Sequence, residues 1–565
     1  MHVILLIMKK WALKKYSGEK DLVQCLLKDR KIKPDNAEKF FNPDYESGLG
    51  DPFGILNMDR ATSRILKAVK NSENVVVFGD YDADGICGTV IFHDFFKKIN
   101  FENFDVYIPD RYEEGYGLTF KIVDEFIAKK KDLIIVIDCG ITDFKEVKRA
   151  KEAGIDVIII DHHLPPPELP PAYAIIDVYQ KEDKYPFKNF SGAGMAFKTV
   201  SAVLKKNRFQ TEDGWEKRLL DVVGIAVIAD MVSLSGENRV LAHHGLGFLK
   251  KTLRLGLKFL FEKLKINPHH ISEDDVGFLI APRINSASRM DHATTSFLLL
   301  TTASESEAEW LCGRLEEKNN ERRKLVGLIL ERIRGGADFK NENLIFFGDD
   351  SWPPGVLGLA ANRILDECQK PVFLWGKDSK GLVKFSSRSN SIDLVGLMNS
   401  VPRDIFIDFG GHKFSAGATI EAKNLARLET ELYNVLAKMP EIKQEEEILL
   451  IDRKMNLEDI NEDNYKVIEK FMPFGMDNPK PVFWFSDLKV GSIRTFGNGS
   501  PHLGLTFKKS GGETIKAIGF FMASQIRLSD SLKAGNAIDL AASLDKNYYN
   551  GHNELRLRIV DFRII

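Results

Sequence analysis

Three short apolar runs, each ending in carboxylates, constrain this chain more than any other feature. Residues 74–78, 133–137 and 157–160 are rich in Val and Ile and are bounded by Gly or polar residues. That pattern marks strands buried on both faces of a parallel sheet. The first run leads into Asp80-Tyr81-Asp82-Ala83-Asp84-Gly85, the second into Asp138-Cys139-Gly140, the third into Asp161-His162-His163. Helical stretches lie between them, at 86–98, 119–131 and 143–153. The alternation predicts right-handed crossovers and a doubly wound α/β sheet. In such a sheet the ligand crevice lies outside the carboxyl ends of the strands, so the acidic clusters meet at one rim. Several Asp and two His gathered there repel one another unless a cation neutralises them. Carboxylate oxygens with imidazole suit Mn²⁺ or Mg²⁺ better than a thiolate-seeking metal.

Each cluster also has a plainer reading. Asp-x-Asp-x-Asp-Gly opens an EF-hand loop, but that loop needs Glu at its twelfth position, where Ile91 stands, and a helix rather than a strand before it. Asp-Cys-Gly alone is ordinary turn chemistry, and a His pair alone caps or packs. The metal site follows from three clusters that each come directly after a strand.

Composition narrows the rest. A chain of 565 residues, 44% hydrophobic and 28% charged, is expected to be globular, with three or four domains. Its formal net charge of −2 gives no bulk attraction for a polyanion, so nucleic-acid binding would use local patches. The five cysteines, Cys25, Cys87, Cys139, Cys312 and Cys368, have no zinc-like spacing. They read as reduced thiols and point to a cytoplasmic setting. Residues 3–8 form an apolar run too short for a membrane span, so no membrane association is expected.

The chain divides as follows. Residues 1–50 read as a helical lead-in. Residues 51–302 read as the first α/β domain, with a helix at 58–70. Within it an apolar run, 219–229, ends in Asp230, which gains meaning only if a metal site needs another ligand. The basic residues of 250–265 read as a solvated helix face. A long helix at 303–336 has apolar residues three and four apart and a polar waist at 316–324, which reads as a connector. Residues 337–442 form a second α/β domain, with strands near 344–347 and 371–375 and a glycine-rich stretch at 408–417. After an acidic linker at 443–447, residues 450–565 carry short strands at 481–485, 491–495, 503–507, 515–520, 537–542 and 555–559. Tyr549-Asn550-Gly551-His552 is a hairpin signal. The pattern predicts a small Greek-key barrel such as an OB-fold.

These residues resemble the DHH phosphoesterase superfamily and, within it, the RecJ family of single-stranded-DNA-specific 5′→3′ exonucleases. The motifs are residues 79–85, Asp138-Cys139-Gly140, Asp161-His162-His163, Ile228-Ala229-Asp230 and Pro282-Arg283-Ile284-Asn285 with Arg289-Met290. Further along come Trp352 with residues 354–358, residues 410–417, and Pro473-Phe474-Gly475 with Asn478-Pro479. The resemblance implies a doubly wound DHH domain, a DHHA1-type substrate-binding domain and an OB-fold. It implies metal-dependent hydrolysis of single-stranded DNA in repair and recombination, with two Mn²⁺ or Mg²⁺ ions. Asp82 and Asp138, assisted by Asp80, would hold one ion. Asp84, Asp138, His162 and Asp230 would hold the other. Phe78 stands where many superfamily members have a His. His163 would face the scissile phosphate, and Asp161 would orient an imidazole. Arg111, Ser386 and Arg388 would grip the 5′ phosphate. Asn285, Arg289, Gly410, Gly411 and His412 would lie along the substrate. A monomer working with single-stranded-DNA-binding protein and a helicase is the implied setting. On the barrel, Lys489, Arg494, Tyr548 and Tyr549 are candidate strand contacts. Two rival readings are a nanoRNase or cyclic-dinucleotide phosphodiesterase, which would need neither connector nor barrel, and an inactive binding scaffold, which would have lost metal carboxylates.

Overall fold

The computed structural model describes residues 10–337, 339, 343–439, 448–497, 501–523, 532–548 and 553–565. The chain forms two compact units, one of residues 11–316 with 450–565 and one built on residues 317–449. None of the described helices is long and apolar enough to cross a membrane.

Among the described residues, five parallel strands make the sheet of the first unit: β1 (Val75–Gly79), β2 (Phe104–Tyr107), β3 (Leu133–Ile137), β4 (Asp156–Ile160) and β5 (Ala174–Ile176), in the order β2-β1-β3-β4-β5. Strand alternation splits the side chains between two helical layers. Val75, Val77, Ile135 and Ile137 join one core, and Val76, Phe78, Ile134 and Val136 join the other. From β1 the chain first steps to one side and then to the other, so the switch point lies between β1 and β3. That is where Asp80–Asp84 and Asp138 emerge. No strand signal marks β2 or β5 in the sequence. The first is a half-exposed edge strand, and the second has three residues.

Helix α1 (Met58–Lys70) buries Met58, Ala61 and Ile65 against this sheet, and α2 (Ala83–Lys98) follows β1 directly. Two further helices complete the site, α3 (Gly192–Lys206) and α4 (Leu220–Ala229). All of α4 from Leu220 to Val227 is buried, so it reads as apolar all round. The long helix α5 (Glu305–Gly336) sends Leu311, Cys312 and Leu315 into the core of the first unit.

The barrel belongs to the same unit. Its strands are β11 (Phe483–Lys489), β12 (Ser492–Phe496), β13 (His502–Lys508), β14 (Thr514–Gly519), β15 (Ala537–Asn547) and β16 (Glu554–Ile564). Pairing runs β11-β15-β16-β14-β13-β12, and only Val490-Gly491 separates β12 from β11 in the chain, so the ring closes through one bent strand. The lead-in does not stand apart. Leu22, Leu26 and Leu27 share a core with Phe471, Phe483 and Phe485. Arg239, from the helical layer beside the sheet, donates to Phe471 O at 3.3 Å and Met472 O at 3.0 Å. The hairpin tip at 549–552 and the acidic linker at 443–447 lie outside the described residues.

In the second unit β6 (Ile345–Gly348), β7 (Val372–Lys377), β8 (Val383–Arg388), β9 (Phe406–His412) and β10 (Ser415–Ile420) form a mixed sheet in the order β9-β10-β8-β7-β6. Only β6 and β7 pair in parallel among them. The glycine-rich stretch is the β9–β10 hairpin.

Candidate metal centre

The rim is built by local rules. Asp82 is the N-cap of α2, its Oδ1 accepting from the amides of Asp84 (2.9 Å) and Gly85 (3.1 Å). Gly85 lets this turn close on β1, since a Cβ there would sit 2.5 Å from Asp80 O. Asp84 points to the N-terminus of α3, accepting from Gly192 N (2.6 Å) and Ala193 N (2.9 Å). Asp138 follows β3 with φ +63, a left-handed backbone unusual for a residue other than glycine. Asp230 caps the C-terminus of α4.

These elements bring three ligand groups together: Asp80, Asp82 and Asp138; Asp84, His162 and Asp230; and Asp138, His162 and His163. His162 Nε2 lies 3.1 Å from Asp138 Oδ1, 3.7 Å from Asp230 Oδ2 and 3.8 Å from Asp84 Oδ2. Among the described residues Asp138 Oδ1 forms no hydrogen bond with that ring or with any other group, and Asp80 Oδ1 is likewise buried without a partner. Ligands about 2.1 Å from one octahedral ion stand roughly 3.0 Å apart when adjacent and 4.2 Å when opposite. The spacings around His162 fall in that interval. The donor set therefore fits hard divalent cations.

Electrostatics agrees. Burial, then the neighbouring carboxylates of Asp84, Asp82, Asp80 and Asp230, pushes Asp138 well up. Burial and Asp82 do the same to Asp80, and Asp230 is pushed up to about 9 by burial, Asp84 and Asp82. Such carboxyls bind protons more readily folded than unfolded. The metal-free protein should thus lose stability as pH rises from about 4 towards 9. Divalent ions bind the deprotonated form and release those protons. Thermal melting with chelator is expected to show a Tm falling between about pH 5 and 8.5, and Mn²⁺ should raise Tm most at the alkaline end. Asp138→Asn should lose most of the Mn²⁺ gain. A Tm indifferent to Mn²⁺ at every pH would contradict the centre.

Asp161 is fully buried and committed to orientation. It accepts from Ile141 N (3.1 Å), His162 N (2.7 Å), His163 N (3.2 Å) and His163 Nδ1 (2.7 Å). The imidazole it fixes is that of His163. Burial alone would lower the His163 pKa, but Asp161 raises it to about 9. Phe78 is buried against Tyr107, so the group around Asp82 is all carboxylate. Asn285 Oδ1 accepts from Ala83 N at 2.8 Å and steadies the start of α2. Arg289 O accepts from the Tyr112 hydroxyl. The Arg111 guanidinium lies over the Tyr81 ring at 4.7 Å.

In the second unit, register places Ser386 beside Gly417, which faces Gly410, and Arg388 beside Ser415, which faces His412. These residues therefore share one sheet face. Gly358 admits the helix Pro354–Cys368 to that face, since a Cβ would stand 2.8 Å from Arg388 Nη2. Gly411 adopts φ +139, where a Cβ would meet Ser415 O at 2.4 Å.

Two contributors carry no clear motif in the sequence. One is the Gly192-Ala193 amide pair that holds Asp84. Its only signal is Ser191 as an N-cap. The other is Tyr116, whose hydroxyl donates to Asp138 O at 3.1 Å and lies 3.4 Å from His163 Nδ1.

A doubly wound sheet whose rim joins Asp-x-Asp, Asp-Cys-Gly and Asp-His-His defines the DHH class of phosphoesterases. The model of the DHH family N-terminal domain matches residues 74–227, that of the DHHA1 domain residues 341–438, and that of the RecJ OB domain residues 451–561. The chain is 33% identical over 552 residues to the single-stranded-DNA-specific exonuclease RecJ of Bacillus subtilis (strain 168), covering 96% of this chain and 67% of that protein. It is 30% identical over 531 residues to RecJ of Haemophilus influenzae, covering 91% of each. RecJ of Thermus thermophilus in complex with Mn²⁺ superposes with a TM-score of 0.78 at 26% identity, over 96% of this chain and 75% of that one. A manganese-bound exonuclease RecJ gives 0.61 at 31% identity, over 70% and 96%. The chain belongs to the RecJ family.

Proposed function

We propose that this chain is a metal-dependent exonuclease that hydrolyses phosphodiester bonds of single-stranded DNA from the 5′ end, in DNA repair and recombination. The carrying observation is the meeting of Asp80, Asp82, Asp84, Asp138, His162 and Asp230 at one sheet rim, with carboxylate oxygens left unpartnered. The relatives named as single-stranded-DNA-specific exonucleases, and the RecJ structures solved with manganese, support the substrate and Mn²⁺ or Mg²⁺ as the cofactor. Asp80, Asp82 and Asp138 would hold one ion, and Asp84, Asp138, His162 and Asp230 the other. When bound, two such ions supply an activated water and stabilise the leaving oxygen. Asp161 fixes His163 as a donor towards the scissile phosphate, and Asn285 and Arg289 support the strand's approach. The enzyme acts in the cytoplasm as a monomer, on strands supplied by a helicase or held by single-stranded-DNA-binding protein.

Polarity needs a stop for one end of the strand. Arg111, Ser386 and Arg388 are proposed substrate contacts through a terminal phosphate, with Gly410, Gly411 and His412 along the backbone. A guanidinium fork suits phosphate oxygens. Product order tests the direction: a 5′ label should leave as mononucleotide in the first turnover, and a 3′ label should leave last. Arg388→Ala should weaken the preference for 5′-phosphorylated over 5′-hydroxyl strands by about 1.5–3 kcal/mol. Single-turnover rates on both substrates provide the measure. An unchanged preference in both Arg388→Ala and Arg111→Ala would place the stop elsewhere.

A further inference from the structure

Of the barrel's candidate contacts, Arg494 lies beside an aromatic ring of the barrel. Tyr548 is already used, stacked on His270 with ring centroids 3.9 Å apart, and Tyr549 lies outside the described residues. The exposed rings are elsewhere. Phe278, in the π-helical turn Asp275–Ile280 that packs on α4, is 64% exposed. π-turns occur often at functional sites. Phe520 and Phe521, just after β14, are 43% and 56% exposed.

Phe278 and Phe520 are linked by one cation. The Arg558 guanidinium lies 5.4 Å from both the Phe278 and the Phe520 ring centroids, and Asp274 holds it there at 2.8 Å. His502 continues the row, 5.4 Å from Phe520 and 5.3 Å from Phe496. Its Nδ1 accepts from Phe521 N at 3.1 Å. The row ends at Arg494, whose guanidinium is 5.5 Å from the Phe496 ring. Arg494 lies across Gly504, where a Cβ would come within 3.0 Å of it, and it forms no ion pair among the described residues. Phe521 has φ +59, a strained backbone for a bulky side chain, and its ring stays exposed.

We propose that this row is one stacking track for a single-stranded nucleic acid, begun by Phe278 of the α/β part and continued over the barrel by Phe520, His502 and Phe496. Rings offer faces to unpaired bases, and Arg558 and Arg494 offer charge to the phosphates between them. An apolar protein surface would have no use for a guanidinium held between two of the rings and another at the end of the row. A duplex hides the base faces that the rings need. The proposal rests on the nuclease reading for its ligand, and it adds that the α/β part itself supplies the first platform.

Equilibrium binding of an oligothymidylate of about 20 nucleotides to the full chain, in chelator, tests the track without hydrolysis. Phe278→Ala and Phe520→Ala should each weaken binding about tenfold. Phe278→Trp should retain it, and the melting temperatures of all variants should match the wild type, because both rings are exposed. Binding within about twofold of wild type in both Ala variants, or no binding by the wild type, would overturn the proposal. An effect in Phe520→Ala alone would overturn the role of Phe278. A wild type that binds through these rings but cuts nothing would refute the nuclease reading and leave the track standing.

Discussion

Asp138→Ala is expected to lower hydrolysis of single-stranded DNA by more than roughly 10³-fold, the largest effect of any single substitution. Asp138 belongs both to the group with Asp80 and Asp82 and to the group with His162 and His163. Among the described residues its Oδ1 is buried without a hydrogen bond, which leaves that oxygen open to a cation. Neither Asp84 nor Asp82 can replace it. Asp84 is held by the amides of α3 and Asp82 by those of α2. Metal content should drop with activity, while affinity for a long strand should stay close to wild type. Rates within about tenfold of wild type would mean that the chemistry does not pass through this carboxylate.

The second large effect is expected at His163, where Ala should cost on the order of 100-fold. Asp161 fixes the ring through Nδ1 and raises its pKa. Charge on His163 is present below its raised pKa and lost as pH rises through about 9. Bound cations draw that limb to lower pH, because like charges disfavour the imidazolium. Asp161→Asn removes the carboxylate that raises the pKa, so the alkaline limb of the rate profile should shift further down. A limb in the same place with and without Asp161 would show that another group titrates.

Much of the site was legible because the acids sit directly after strands with unmistakable signals. Val75–Gly79, Leu133–Ile137 and Asp156–Ile160 are buried on both faces, and such strands read as continuous apolar runs. Phe104–Tyr107 shows no such run, because it is an edge strand in contact with solvent. The Gly192-Ala193 amides left no motif, since a backbone donor needs no particular side chain. The barrel strands were legible by their spacing, but their closure was not. Residues 481–485 and 491–495 read as two strands, whereas the chain bends at Val490-Gly491 and spends one strand on both neighbours. The lead-in and the barrel read as separate pieces because their shared core, Leu26 on Phe471, joins residues far apart in sequence. The exposed rings of Phe278 and Phe520 were hidden for the opposite reason: Phe in a short apolar run reads as core.

Release of label from matched 5′-phosphorylated substrates tests the account most directly: single-stranded DNA, blunt duplex DNA, single-stranded RNA and a small linear dinucleotide, each with Mn²⁺, with Mg²⁺ and with chelator. The account predicts rapid loss of mononucleotides from single-stranded DNA with either ion, little from duplex, slower turnover of the dinucleotide and none of any substrate in chelator. Hydrolysis that persists in chelator, or a dinucleotide cut faster than the single strand, would contradict it.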